Sequence, residues 1–112
     1  MSAITTHDLD TSRGRPATGL RVELQMRSGS EWKSIGAGVT DANGRCATLM
    51  GAQKLLAGSY RLLFDAGNYF KEHQTETFYS EIPIVFEILH AETHYHVPLL
   101  ISPFGYSTYR GS

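Results

Sequence analysis

Apolar and polar residues alternate without a fault over Leu20-Arg21-Val22-Glu23-Leu24-Gln25-Met26-Arg27, which predicts a β-strand with one face buried and one in solvent. Ser28-Gly29-Ser30 turns the chain, and Trp32 through Thr40 reads as a partner strand whose glycines, Gly36 and Gly38, predict close approach by a neighbour. Asp41-Ala42-Asn43-Gly44 predicts a tight hairpin turn, with Asn-Gly supplying positive φ. After the Gly58-Ser59 turn, Tyr60, Leu62 and Phe64 alternate with Arg61, Leu63 and Asp65 in a further strand. The period of two is lost between Asp65 and Ser80. Ala66 to His73 suits a two-turn helix, too short to be stable without packing and expected at the surface. Strand character resumes over Pro83 to Leu89 and Thr93 to Ile101, and a short terminal strand is expected over Tyr106 to Arg110. Some seven or eight short strands with at most one helix predict an all-β sandwich.

The chain has 112 residues, room for one domain, expected to span 1–112, and for one core. At that size roughly two-thirds of the unfolded surface is buried on folding, enough to dispense with disulfide staples. Ten Lys+Arg against eleven Asp+Glu leave a net charge of −1, so no long-range field gathers nucleic acid or an anionic membrane. The single cysteine, Cys46, excludes an intrachain disulfide and any cysteine-built zinc site. No basic segment followed by an apolar run opens the chain, and no stretch approaches the ~18 apolar residues of a membrane span. A soluble, cytoplasmic protein is the expectation, with periplasm or peroxisome open if a targeting segment has been removed. Charged residues make up 19% and aromatic residues 11%, an under-charged, Tyr-rich composition that points to subunit contacts.

Histidine titrates near neutral pH and serves as base, acid or ligand, so the five histidines are the first candidates for chemistry. In a strand, His94 and His96 emerge on the face opposite Tyr95, Val97, Leu99 and Ile101. The apolar row must be core, which turns both histidines outward, and Pro98 in their row marks an edge or a bulge. Two exposed strand histidines that merely tolerate solvent are the plain alternative. A zinc site would need a third ligand, for which His7 is available, although ordinary polar residues on an edge strand also look like His7. Arg45, next to the Asn43-Gly44 turn, is either a solubilising side chain or a planar fork suited to a carbonyl or oxyanion. Cys46 reads as a small buried hydrophobe, since no motif supplies it with a base. The end of the chain, Ser102 to Ser112, crowds aromatic, hydroxyl and guanidinium groups where most termini fray.

His94-Tyr95-His96-Val97-Pro98-Leu99-Leu100 and Tyr109-Arg110-Gly111-Ser112 resemble the signatures of the 5-hydroxyisourate hydrolases, the enzymatic branch of the transthyretin family. The resemblance continues through Thr5-Thr6-His7 with Asp10-Thr11, Gly14 and Pro16-Ala17, through Thr40-Asp41 with Gly44-Arg45, and through Phe78-Tyr79. It implies a transthyretin-like sandwich of two four-stranded sheets with one short helix. It further implies a homotetramer, a dimer of dimers with active sites in a channel between them. The activity it implies is hydrolysis of 5-hydroxyisourate to 2-oxo-4-hydroxy-4-carboxy-5-ureidoimidazoline in urate degradation, without cofactor or metal. By carry-over the catalytic residues would be His7, Arg45, His96 and Ser112, with His7, Arg45, Tyr109 and Arg110 binding the substrate. Opening a cyclic amide needs an activated water, a stabilised oxyanion and a proton for the departing nitrogen. His96 or His7 suits the first task and Arg45 the second; the other histidine or the Ser112 hydroxyl suits the third. A transthyretin-like carrier of small aromatic ligands and an immunoglobulin-like adhesion module are the rival readings.

Overall fold

In the computed structural model, which describes residues 3–112, the alternating segments form two stacked sheets. Along the chain the elements are β1 (Ile4–Asp10), β2 (Arg15–Pro16), β3 (Arg21–Ser28), β4 (Glu31–Val39), β5 (Arg45–Cys46), β6 (Gly58–Phe64), the helix α1 (Ala66–Glu72), β7 (Ile82–Ile88), β8 (Tyr95–Ser102) and β9 (Gly105–Thr108). One sheet has the order β4-β3-β6-β7 and is antiparallel throughout. The other runs β2-β1-β8-β9, and β5 also pairs with β1. The second sheet thus holds a fifth strand, of two residues, beyond the four expected. At its centre β1 and β8 are parallel, so the start and end of the chain lie side by side. Among the described residues no helix is long and apolar enough to cross a membrane.

The predicted core rows face inward. Leu20, Val22 and Leu24, Tyr60, Leu62 and Phe64, and Tyr95, Val97, Leu99 and Ile101 are all buried between the sheets. Each large side chain among them contributes roughly 1.5–3 kcal/mol by leaving water. Gly36 and Gly38 are required for the reason their sequence context suggested. A Cβ at Gly36 would stand 1.6 Å from the carbonyl oxygen of Leu49, and one at Gly38 would stand 2.5 Å from Cys46 Sγ.

Three local expectations change. The Asp41 to Gly44 turn closes with Gly44 N–H donating to Asp41 O at 2.9 Å, but only Gly44 has positive φ, 76°. It does not join paired strands: β4 lies in one sheet and β5 in the other, so the turn carries the chain across the sandwich. Its glycine fits because a Cβ there would meet Asp8 O at 2.3 Å. The helix ends at Glu72 and is less superficial than expected, since Ala66, Tyr69 and Phe70 are buried and Asp65 caps its N-terminus by accepting from Asn68 N–H. The terminal strand occupies Gly105 to Thr108, not Tyr106 to Arg110. Its ladder on β8 runs from Ser102↔Gly105 to Leu99↔Thr108, breaks, and resumes in the same register at the single bridge His96↔Gly111. The break falls at Pro98, which has no N–H to give, and Thr108 Oγ1 donates instead to Pro98 O at 2.7 Å. Pro98 therefore marks an interruption inside the sheet, not an edge.

β1 inverts the usual rule. Its inward residues after Ile4 are Thr6, Asp8 and Asp10, all buried, while Leu9 is exposed. Asp10 is satisfied: Oδ2 accepts from Tyr69 Oη at 2.8 Å, and Oδ1 accepts from Ser12 N and Oγ. Asp8 is not. Thr6 Oγ1 lies 2.5 Å from Asp8 Oδ1 and 2.7 Å from Val97 O, and one hydroxyl hydrogen cannot serve both. Asp8 Oδ2 has no partner among the described residues. A protonated Asp8 that donates to Thr6 resolves the conflict, and burial does push this carboxyl up to about 7, against the lowering that a hydrogen bond donated by Thr6 to the ionised form would bring.

Candidate active site

The outward face of β1 and β8 gathers the polar groups. Thr5 pairs with His96 and His7 with Pro98 across the parallel ladder. On the other side of β1, His7 stands opposite Arg45 of β5. Three strands distant in sequence therefore bring His7, Arg45 and His96 to one surface. The bridge from Gly111 N–H to His96 O, 2.8 Å, then draws the end of the chain alongside. A side chain at Gly111 is impossible without movement, because its Cβ would lie 2.7 Å from His96 Cδ2 and 3.1 Å from Pro98 Cγ. The result is an open cleft of about 260 Å³ lined by Thr5, Thr6, Arg45, Ala47, His94, His96 and Ser112. His7 stands beside it, its ring centroid 6.5 Å from that of His96.

Electrostatics distinguishes His96. It is partly buried, and that burial, together with charge at His7, His94 and Arg45, holds its imidazole below the usual histidine range. It is therefore neutral at pH 7 and able to take a proton. Arg45 is anchored by its backbone: its N–H donates to Asp41 Oδ1 at 3.0 Å, and Asp41 N–H donates back to Arg45 O at 2.9 Å. Those hydrogen bonds, from Arg45 and then Asn43, hold the Asp41 carboxyl below its ordinary value. The Arg45 side chain is exposed on the cleft, available to an oxyanion.

Of the residues singled out in the sequence, the fold brings together His7, Arg45, His94, His96 and Ser112. Tyr109 and Arg110 lie next to them. They line a neighbouring cleft with Ile84, Phe86, Tyr95 and Thr108, which His96 also borders. The reason for Arg110 is parity: in the β9 register it falls opposite Val97, on the inward row, and its guanidinium packs 4.5 Å over the Tyr95 ring. Among the described residues no three His, Cys, Asp or Glu side chains are grouped so that they could hold a metal ion. Cys46 is a buried free thiol, as its sequence context suggested. The residue to which sequence reasoning gave no role is Thr5, whose Oγ1 lies 2.8 Å from His96 Nδ1 and 3.1 Å from His94 Nε2. Its position two residues before His7 was the available signal, as the two share a strand face.

The chain is similar to known proteins in both sequence and structure. The profile of the HIUase/transthyretin family matches residues 4–111. The 5-hydroxyisourate hydrolase of Mesorhizobium japonicum is 46% identical over 114 residues, covering 97% of this chain and 91% of that protein. The structure of Klebsiella pneumoniae 5-hydroxyisourate hydrolase superposes with a TM-score of 0.87 at 40% identity, covering 100% of both chains. Sea bream transthyretin in complex with thyroxine superposes at 0.90 with 32% identity, over 97% of this chain and 94% of that one. A family match over nearly the whole chain, joined to a shared sandwich, leaves one conclusion: this chain belongs to the HIUase/transthyretin family.

Proposed function

We propose that this protein hydrolyses 5-hydroxyisourate, opening its cyclic amide to give 2-oxo-4-hydroxy-4-carboxy-5-ureidoimidazoline. The observation that carries the reading is the convergence of Arg45, His96 and Ser112 on one cleft with His7 beside it. Relatives that share 40% or more of their residues with this chain are named for that activity. His96, held neutral, takes a proton from the attacking water. The Arg45 guanidinium faces the carbonyl oxygen as it gains charge, and electrostatic support of this kind is worth about 2.7–4 kcal/mol. His7 and Ser112 orient the water and the departing nitrogen. The cleft of a single chain is open to solvent, which weakens every one of these interactions. A tetramer, assembled as a pair of dimers, would close it between subunits.

The test is spectrophotometric. 5-Hydroxyisourate generated from urate by urate oxidase decays spontaneously, and the protein should accelerate that decay in proportion to its concentration. Decay at the same rate with and without protein would favour a carrier of aromatic ligands over an enzyme.

A further inference from the structure

We propose that the Thr5 hydroxyl and the His94 imidazole form a proton relay that connects His96 in the cleft to solvent. The inference rests on the hydrolytic reading above and adds two residues to its machinery. Thr5 is the outward residue of β1 directly opposite His96, is only 9% exposed, and places one oxygen between two imidazole nitrogens, at 2.8 Å and 3.1 Å. The two rings are nearly parallel, 19° apart in tilt, with centroids separated by 6.5 Å. His94, at the far end, is exposed.

A hydroxyl has one hydrogen and two lone pairs. Between two ring nitrogens it donates to one and accepts from the other, so the tautomer of His96 is tied to that of His94. When Thr5 donates to His94 Nε2, His96 Nδ1 carries a hydrogen and Nε2 presents its lone pair, the form a base requires. In the first step the new C–O bond forms as Nε2 takes a hydrogen from the attacking water. The Nδ1 hydrogen passes to Thr5, the Thr5 hydrogen passes to His94 Nε2, and the hydrogen on His94 Nδ1 goes to solvent. His96 is then neutral with its hydrogen on Nε2. In the second step the C–N bond breaks, that hydrogen moves to the departing nitrogen, and the relay runs backward, drawing one proton from solvent. The second hydrogen of the water is lost when the product carboxyl ionises. Neither imidazole has to hold a charge beside the Arg45 guanidinium for longer than one transfer.

Initial rates of 5-hydroxyisourate decay should be measured for the full chain as wild type, Thr5→Val, Thr5→Ser and His94→Gln. Each is titrated with imidazole buffer at fixed pH and ionic strength, with thermal unfolding read in parallel. Thr5→Val and His94→Gln should lower kcat about 10- to 100-fold, the scale seen for outer partners that orient a reactive group, with KM little changed. Their rates should climb with imidazole concentration, because a free imidazole discharges His96 in place of the relay. Wild type and Thr5→Ser should stay fast and insensitive to the buffer. His94 is exposed, so its variant carries the test if Thr5→Val fails to fold. Variants as fast as wild type, or slowed equally at every imidazole concentration, overturn the relay alone. A wild type that leaves the decay unchanged takes the relay down together with the hydrolytic reading.

Discussion

The two sheets of the sandwich are built on opposite principles. In the β4-β3-β6-β7 sheet every ladder is antiparallel, and the inward residues of β3 and β6 are apolar without exception. That sheet is a platform. In the β2-β1-β8-β9 sheet the central ladder joins residues about ninety positions apart in parallel, the inward row of β1 is largely polar, and the outward row carries the imidazoles. Chemistry is concentrated where the sequence separation is greatest, because only a long-range pairing sets the start of the chain, the Arg45 turn and the final residues against one another. The difference predicts that substitutions in the platform act chiefly on stability, and substitutions on the outward row of the other sheet chiefly on activity.

Substitutions should divide along that line, and the largest effect is expected in the platform. Phe64→Ala, which empties a fully buried site in β6, should cost about 3–5 kcal/mol in urea unfolding, while the fraction that remains folded turns over substrate at the wild-type rate. A comparable fall in turnover per folded molecule would mean that the sheets are not separable. Arg45→Ala should do the reverse. It should lower kcat/KM about 10²- to 10³-fold and move the unfolding free energy by no more than about 0.5 kcal/mol, since the side chain is exposed.

Asp8→Asn sharpens the comparison, because it lies in the chemical sheet but on its inward face. Asp8 has a native pKa of about 7 against 3.8 when free in the unfolded chain. Between those values the native state keeps a proton that the unfolded state has lost, so this group's contribution to stability falls as pH rises from about 4 to 7 and levels off above. Asn removes that loss. The variant should be more stable than wild type at pH 8 by an amount on the order of a few kcal/mol, with the gap closing toward pH 4. Chemical denaturation at several pH values reads this difference directly. A gap of constant size across that range would show that the carboxyl is ionised in the native state and satisfied in some other way.

The platform was legible because its signal is local. Leu20 to Arg27 and Tyr60 to Asp65 declare both strand and buried face within eight residues, and the structure agrees at each inward position. β1 gave no such reading. Its row of Thr6, Asp8 and Asp10 looks outward by polarity, and only the hydroxyls of Tyr69 and Ser12 for Asp10, and of Thr6 for Asp8, make the inward placement tolerable. The Asn43-Gly44 turn misled for a related reason. A hairpin and a crossing between sheets share the same turn residues, and the partner of β5 is decided by β1, more than thirty residues earlier. Of the candidate site, His7, Arg45, His96 and Ser112 were identifiable from their resemblance to family signatures. The inward parity of Arg110 was not legible, because residue type says nothing of strand parity once a proline interrupts the ladder. Thr5 stood in the Thr5-Thr6-His7 motif without a role of its own, because a threonine in a strand is ordinary until its two imidazole neighbours are known.

The central claim is that groups remote in the chain act together in one cleft. A double-mutant cycle on kcat/KM with Arg45→Ala, His96→Ala and the double variant measures this most directly. If the guanidinium and the imidazole serve one transition state, the double variant should lose little more than the worse single variant. Losses that multiply in full would show two independent contributions and contradict the account.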